Sequence, residues 1–135
     1  MSTAKEVKSD RRYTKDHEWA KRDGDELVIG ITPFAVDQLG DITMVNFDVA
    51  VGDEVSAGKP FGTVESVKTV SDLYAPVSGK VTRINADLDP RPELVNEDCW
   101  GAGWMIAIAT SEPDAPDGQL LDPADYGKHL SDEVV

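Results

Sequence analysis

The chain has 135 residues, which suits one domain, and 40% of them are hydrophobic, which is enough to bury one compact core. It carries 26 acidic against 13 basic residues, a net charge of −13, so its surface repels phosphate backbones and anionic lipid and predicts neither a nucleic-acid nor a membrane partner. The single cysteine, Cys99, excludes an intrachain disulfide and fits a reducing compartment.

The start of the chain lacks the features of a targeting signal. Residues 1–12 are polar, with no apolar stretch of the kind that a signal peptide needs, and we expect them to form a disordered tail. No segment approaches the ~20 apolar residues of a membrane-spanning helix. The expected location is the bacterial cytoplasm, or the mitochondrial matrix only if a transit peptide has been removed.

The first part of the chain predicts strands interrupted by one short helix. Residues 13–31 predict two strands around an Asp-Gly turn at residues 23–24, a dipeptide typical of hairpins. Residues 32–40 predict a brief helix, because a Thr-Pro pair begins this segment and a Gly ends it. Residues 41–55 then predict a strand followed by a turn.

The later part of the chain continues this mostly β pattern. Residues 75–85 predict a turn and a strand, residues 89–98 a loop with one helical turn, and residues 100–110 a segment that ends in a strand. A polar linker follows at residues 111–118. An Asp-Pro pair then begins a short helix within residues 120–130.

The segment around Lys68 raises a question of length. One strand over residues 61–74 would have 14 residues, against a usual ~5–6, so a break inside it is expected. Turn signals on both sides bracket two strands of similar length that meet near Lys68. We therefore expect this lysine at the tip of a hairpin, projecting into water.

Familiar enzyme motifs do not occur in this sequence. His17 and His129 lie far apart, and the segment HEW lacks the second histidine of a helical zinc motif, so we predict no metal site. No G-x-S-x-G marks a nucleophile, and no glycine-rich loop marks a phosphate site. We predict no catalytic residue, and Cys99 is expected to be structural. The tryptophans are expected in the core: Trp19, Trp100 and Trp104.

Three spaced elements around Lys68 resemble the lipoyl and biotinyl carrier domains. They are G-D-x-V-x-x-G at residues 52–58, E-x-x-K at 65–68 and A-P-x-x-G-x-V at 75–81. Biotinyl carriers usually have Met on both sides of the lysine, whereas the neighbours here are Val67 and Thr69. ESVK followed by SDLYAPVSG is instead similar to the H proteins of the glycine cleavage system.

Further segments resemble the same family, in order and at suitable spacing, and extend the resemblance from Tyr13 to Leu130. They are YTKDHEW (13–19), IGIT (29–32), LGDI (39–42), ELVNED (93–98) and GWM (103–105). The resemblance implies a barrel-sandwich hybrid of β-strands with short peripheral helices. It places one lipoyl-carrier domain over residues 13–130, with residues 131–135 as a tail.

The resemblance also implies a function. Lys68 would be the attachment site of lipoate, as N6-lipoyllysine, in a non-catalytic carrier that is a monomer when free. The implied partners are a lipoylating enzyme and the three enzymes that the arm visits. Those are glycine decarboxylase (P protein), the aminomethyltransferase (T protein) and dihydrolipoamide dehydrogenase (L protein).

Two groups of residues acquire expected roles from the resemblance. Glu18, Asp72 and Asp16 are expected to line a pocket for the aminomethyl-lipoyl group, because carboxylates pair with a cationic amine, and His17 would shape its edge. Glu65 and Ser66 are expected to shape the turn and to be recognised by the lipoylating enzyme.

Other functions remain open at this point. A relay that donates lipoate to 2-oxoacid dehydrogenase complexes would carry the same motif around Lys68. A biotin carrier and an unmodified structural domain are further alternatives. The mass of the chain after expression beside a lipoylation pathway separates these last two from a lipoyl carrier.

Overall fold

The structure is a computed structural model that describes residues 7–110 and 120–133. Its helices, in chain order, are α1 (Pro33–Leu39), a 3-10 turn (Ala86–Leu88), α2 (Leu94–Glu97) and α3 (Pro123–Glu133). Its strands, in chain order, are β1 (Arg12–Tyr13), β2 (Glu18–Asp23), β3 (Glu26–Ile31), β4 (Ile42–Phe47), β5 (Glu54–Val55), β6 (Pro60–Ser66), β7 (Val70–Tyr74), β8 (Gly79–Ile84) and β9 (Ile106–Ala109).

The described strands form two open antiparallel sheets. One has six strands in the order β1-β2-β3-β9-β8-β5, and the other has three in the order β4-β6-β7. Alternating apolar side chains of both sheets meet in one core, as expected for two half-buried sheets. Its members include Ile29, Phe61, Val64, Leu73, Val81 and Ile108. The mostly β fold with short helices confirms the prediction from sequence.

Local signals place the first turn and the first helix where the sequence predicted them. Asp23 pairs with Glu26 at the end of the hairpin, and Gly24 adopts φ +65° in the two-residue turn between them. The Thr32 hydroxyl accepts a main-chain N–H in the first turn of α1, and Gly40 ends the helix with φ +80°. Gly40 thereby turns the chain toward β4.

Helix α3 packs on a second apolar cluster at the end of the larger sheet. The Asp122 carboxylate accepts the Asp125 N–H at 2.8 Å, which is the predicted cap. The buried Tyr126 ring stacks on Tyr13 with 4.4 Å between centroids. The linker predicted at residues 111–118 lies outside the described residues. None of the helices described is both long and apolar enough to cross a membrane.

The N-terminal segment packs on the domain over residues 7–12, which lie within the tail predicted at residues 1–12. Arg11 is only 7% exposed, and its guanidinium lies 4.6 and 4.9 Å from the ring centroids of Trp19 and Trp100. Its Nε also donates to Asp10 at 2.8 Å. The packing of residues 7–12 depends on these tertiary contacts, which a local sequence pattern does not carry. Residues 1–6 lie outside the described part.

The predicted C-terminal boundary differs as well. α3 continues to Glu133, so the tail expected over residues 131–135 overlaps the helix. The end of a helix is among the least reliable features of a sequence pattern. Residues 134–135 lie outside the described residues.

Candidate functional site

Lys68 lies at the tip of the hairpin that joins β6 to β7, as the length of the segment predicted. The Ser66 N–H donates to the Thr69 carbonyl at 2.8 Å. The Ser66 hydroxyl oxygen accepts the N–H groups of Lys68 and Thr69 at 3.1 and 3.2 Å. One serine side chain therefore holds the turn from inside, while the lysine is exposed to solvent.

The Lys68 side chain lies across Gly40. A β-carbon added to Gly40 would lie 3.3 Å from Lys68 Cε and 3.6 Å from Cδ. The glycine combines a positive φ with close approach of another side chain, and both conditions favour a residue without a β-carbon. The end of α1 thus contacts the methylene groups of the Lys68 side chain, next to the atom to which a group would be attached.

Glu65 and three exposed apolar side chains surround the tip. Glu65 is half-buried on β6, opposite Met44 on β4 and Val70 on β7, so these three side chains share one face of the smaller sheet. Met44, Val67 and Val70 are 51%, 67% and 60% exposed. The surface around Lys68 is therefore apolar apart from the Glu65 carboxylate among these side chains.

Glu18 is a buried carboxyl group, only 2% exposed. Its Oε2 accepts the main-chain N–H of Tyr74 at 2.7 Å, and its Oε1 accepts the Thr14 hydroxyl at 3.3 Å. Burial raises the pKa of Glu18 to about 8; the charge of Asp16 acts in the same direction, and the two hydrogen bonds oppose the rise. At neutral pH this carboxyl is therefore mostly protonated.

The carboxyl groups predicted to line a pocket gather around Tyr74. The charge of Asp72 is the largest cause that raises the pKa of the Tyr74 hydroxyl, followed by burial, the charge of Asp16, a hydrogen bond with Asp72 and the charge of Glu18. Asp72 and Asp16 are exposed, whereas Tyr74 is half-buried. The structure thus brings Glu18, Asp72 and Asp16 together beside β7.

His17 faces a different set of residues. Its main chain has φ +68°, and its Nδ1 lies 2.9 Å from the Tyr126 hydroxyl oxygen. Its ring centroid lies 4.4 Å from that of Phe34 and 5.5 Å from that of His129. The ring therefore packs toward α3 rather than among the carboxyl groups.

Tyr74 is a further candidate site residue that the sequence did not predict. Its main chain binds Glu18, and its phenol lies near the three acids. A signal was present, because Tyr74 follows Asp72 by two positions on a strand and alternate residues share a face. The exposed Met44 was also missed, since only the pairing of β4 with β6 brings it to the tip.

Comparison with known proteins gives the same family throughout. The model of the family described as glycine cleavage H-protein matches residues 11–133. A relative from Rubrobacter xylanophilus, named glycine cleavage system H protein, is 49% identical over 95% of this chain and 98% of its own length. A protein of the same name from Carboxydothermus hydrogenoformans is 52% identical over 94% of this chain and 96% of its own.

A solved structure agrees with these relatives in fold. The crystal structure of a glycine cleavage system H protein from Mycobacterium marinum superposes with a TM-score of 0.82 and 36% identity. The match covers 96% of this chain and 100% of that one. With the exposed lysine at the hairpin tip, these matches show that the chain belongs to the glycine cleavage H-protein family, the lipoyl carriers of the glycine cleavage system.

Proposed function

We propose that Lys68 carries lipoate in amide linkage and that the chain, without catalysis of its own, shuttles the aminomethyl group of glycine between enzymes. The observation that carries the proposal is the placement of Lys68, exposed at the tip of a hydrogen-bonded hairpin in a chain of this family. The donor of the cargo is glycine decarboxylase and the acceptor is the aminomethyltransferase. Dihydrolipoamide dehydrogenase reoxidises the arm.

The residues around Lys68 fit a covalently attached arm. The ammonium group extends from a turn that three hydrogen bonds among Ser66, Lys68 and Thr69 hold together, so several enzymes can reach it. Amide formation removes its charge, which lets the modified side chain rest on Gly40 and the apolar residues near the tip. When attached, lipoate supplies a disulfide whose sulfur takes up the cargo.

The acidic cluster fits the cationic amine of the cargo. Asp72 and Asp16 supply negative charge at the surface, and Glu18 supplies a buried carboxyl oxygen beside them. A cation that approaches Glu18 stabilises its ionised form, so the pKa of Glu18 falls and a charge-assisted pair forms. The cluster would thus hold the amine and keep water away from it.

Ser66 and Glu65 fit a role in recognition by the lipoylating enzyme. Ser66 fixes the turn, and Glu65 presents a carboxylate between Met44 and Val70. We further propose that the chain is a monomer when free and acts in the bacterial cytoplasm. The bacterial relatives support this location.

The family match favours the aminomethyl carrier over a relay of lipoate to 2-oxoacid dehydrogenases, because the relatives are named for glycine cleavage. Reconstitution tests the choice. The lipoylated chain, incubated with glycine decarboxylase, glycine and labelled bicarbonate, should exchange label into the glycine carboxyl group. No exchange by fully lipoylated protein would contradict the carrier function and support the relay.

An intact-mass spectrum tests the attachment site. Co-expression with a lipoylating enzyme should add the mass of one lipoyl group to the wild-type chain and none to Lys68→Arg. Lys59→Arg is the matched control, since Lys59 is also exposed in a turn, and it should be modified like the wild type. An unshifted wild-type mass, or a biotinyl mass, would contradict the proposal.

A further inference from the structure

Three sequence segments meet beside Lys68 through one side chain on α2. Asn96 lies within ELVNED (93–98), and its Nδ2 donates to the carbonyl of Gly40 at 2.9 Å. Its Oδ1 accepts the N–H of Ile42 at 2.8 Å. The two ends of one amide therefore bind both ends of the segment formed by residues 40–42, which belongs to LGDI. A donor and an acceptor at this spacing match the asparagine side chain.

The same segment is bonded in turn to the hairpin of ESVK. The Asp41 carbonyl accepts the Val67 N–H at 3.1 Å, one residue before the lysine. The Lys68 side chain lies over Gly40, so the segment contacts both the main chain of the tip and its side chain. Residues 40–42 thus connect Asn96 to the hairpin tip.

Residues 40–42 need hydrogen bonds from other parts of the chain to keep one conformation, because the glycine among them can adopt many backbone angles. Gly40 has φ +80° and lies between the end of α1 and the start of β4, where a glycine loses much conformational freedom on folding. Asn96 is itself well anchored, since the preceding residues of α2, Leu94 and Val95, are buried in the core. The core is therefore coupled to the tip through Asn96.

We propose that Asn96 is a positioning residue for Lys68, which fixes residues 40–42 and so presents the lysine in the conformation that a lipoylating enzyme binds. The effect on modification rests on the proposed function, whereas the effect on the hairpin does not. We call the two hydrogen bonds from Asn96 to Gly40 and Ile42 the clamp. Without the clamp, fewer molecules have an ordered hairpin tip. The apparent affinity of the lipoylating enzyme falls in proportion to the fraction of molecules whose tip is ordered. The catalytic rate of the complex, once it has formed, stays the same.

The test compares Asn96→Ala with Asn46→Ala in the full-length chain. Asn46 is an exposed asparagine on β4 whose amide donates to Asp48 at 3.0 Å, so the control removes the same side chain and a similar bond. We expect Asn96→Ala to raise the KM of the lipoylating enzyme about tenfold with kcat within twofold of wild type. Amide exchange of Val67 should accelerate more than that of the core residue Val64.

Asn96→Asp separates the two bonds of the clamp. It keeps an acceptor for the Ile42 N–H but places a carboxylate oxygen against the Gly40 carbonyl, so its KM should rise as in Asn96→Ala. A KM for Asn96→Ala equal to that of Asn46→Ala would overturn the proposal. Equal acceleration of Val67 and Val64 would also overturn it, because that result is simple destabilisation. If the wild-type chain accepts no lipoate, the proposed function fails. The positioning role of Asn96 is then decided by amide exchange alone, from the acceleration at Val67 relative to that at Val64.

Discussion

Glu18 and Tyr74 are 56 positions apart in the sequence, yet a carboxyl oxygen of Glu18 accepts the main-chain N–H of Tyr74 at 2.7 Å. The contact joins the HEW segment to the strand that leads away from Lys68. Because the carboxyl is buried, its proton equilibrium is part of the stability of the fold as well as of the site.

The stability of the protein should depend on pH through Glu18. Its pKa is about 8 in the folded protein against an ordinary value of 4.5, so the folded state binds more protons between these values. The contribution of Glu18 is complete below pH 4.5 and is lost as the pH rises toward 8, with a slope of up to ~1.4 kcal/mol per pH unit. Glu18→Gln keeps an acceptor for the Tyr74 N–H and should lack this slope.

Urea unfolding of both proteins between pH 5 and about 8.5 measures the difference. Other titrating groups are common to wild type and variant, so the difference isolates Glu18. Near pH 8 the variant should be the more stable protein. Glu97→Gln, an exposed change on α2, is the control and should follow the wild type. Parallel profiles for wild type and Glu18→Gln would contradict the buried titration.

Removal of charge from the acidic cluster should shorten the lifetime of the cargo. In Asp72→Asn and Glu18→Gln, a neutral amide replaces a carboxyl group that pairs with the amine of the cargo. Because such a charge-assisted bond is lost, the aminomethyl group should leave the lipoylated protein about tenfold faster. The extent of lipoylation should stay unchanged. The measurement follows labelled aminomethyl cargo on the isolated protein over time.

Asp37→Asn is the control for this experiment, because Asp37 is an exposed acid on α1 and is not among the charges that raise the pKa of Tyr74. Its decay rate should equal that of the wild type. The same lifetime in all three variants would remove Asp72 and Glu18 from the pocket.

Loss of the Ser66 hydroxyl should loosen the hairpin tip. Ser66→Ala removes the acceptor of two main-chain N–H groups, at Lys68 and Thr69, and should lower the free energy of unfolding by about 1 kcal/mol. It should also raise the KM of the lipoylating enzyme. Ser66→Thr keeps the hydroxyl and should restore both values.

Ser78→Ala provides the matched control for the tip. Ser78 is an exposed serine whose hydroxyl oxygen accepts the Ala57 N–H at 2.9 Å, so stability should fall comparably. Its KM should stay at the wild-type value. An increase in KM of the same size in both alanine variants would show that the tip has no special dependence on Ser66.

The Tyr126 hydroxyl should be important for the attachment of α3. It lies 2.8 Å from the Thr32 hydroxyl oxygen and 2.9 Å from His17 Nδ1, and the residue is fully buried. Tyr126→Phe leaves both partners short of a bond and should cost about 1–3 kcal/mol of unfolding free energy. Tyr74→Phe, at a half-buried position, should change it by less than about 0.5 kcal/mol. Equal effects in urea unfolding would contradict the role of Tyr126.

Structural features that depend on residues close together in the sequence could be predicted from it. Features that depend on contacts between distant residues could not. The break at Lys68 follows from strand length, and the start of α1 follows from Thr32 and its proline neighbour. The burial of Glu18 depends on Tyr74, 56 positions away, and the packing of Arg11 depends on Trp100, 89 positions away. No local pattern carries such pairings. Only the family resemblance predicts that Glu18 and Asp72 share one pocket.

The contact between Glu18 and Tyr74 also closes one edge of a sheet. β7 is the outer strand of the smaller sheet, and an added strand would have to bond there to the Tyr74 N–H that Glu18 already occupies. Extension of the sheet by a partner strand along β7 at Tyr74 therefore requires displacement of a buried carboxyl group. A partner strand therefore finds no free main-chain donor at Tyr74, and the outer face of β7 is protected at this position against pairing with a second copy of the chain.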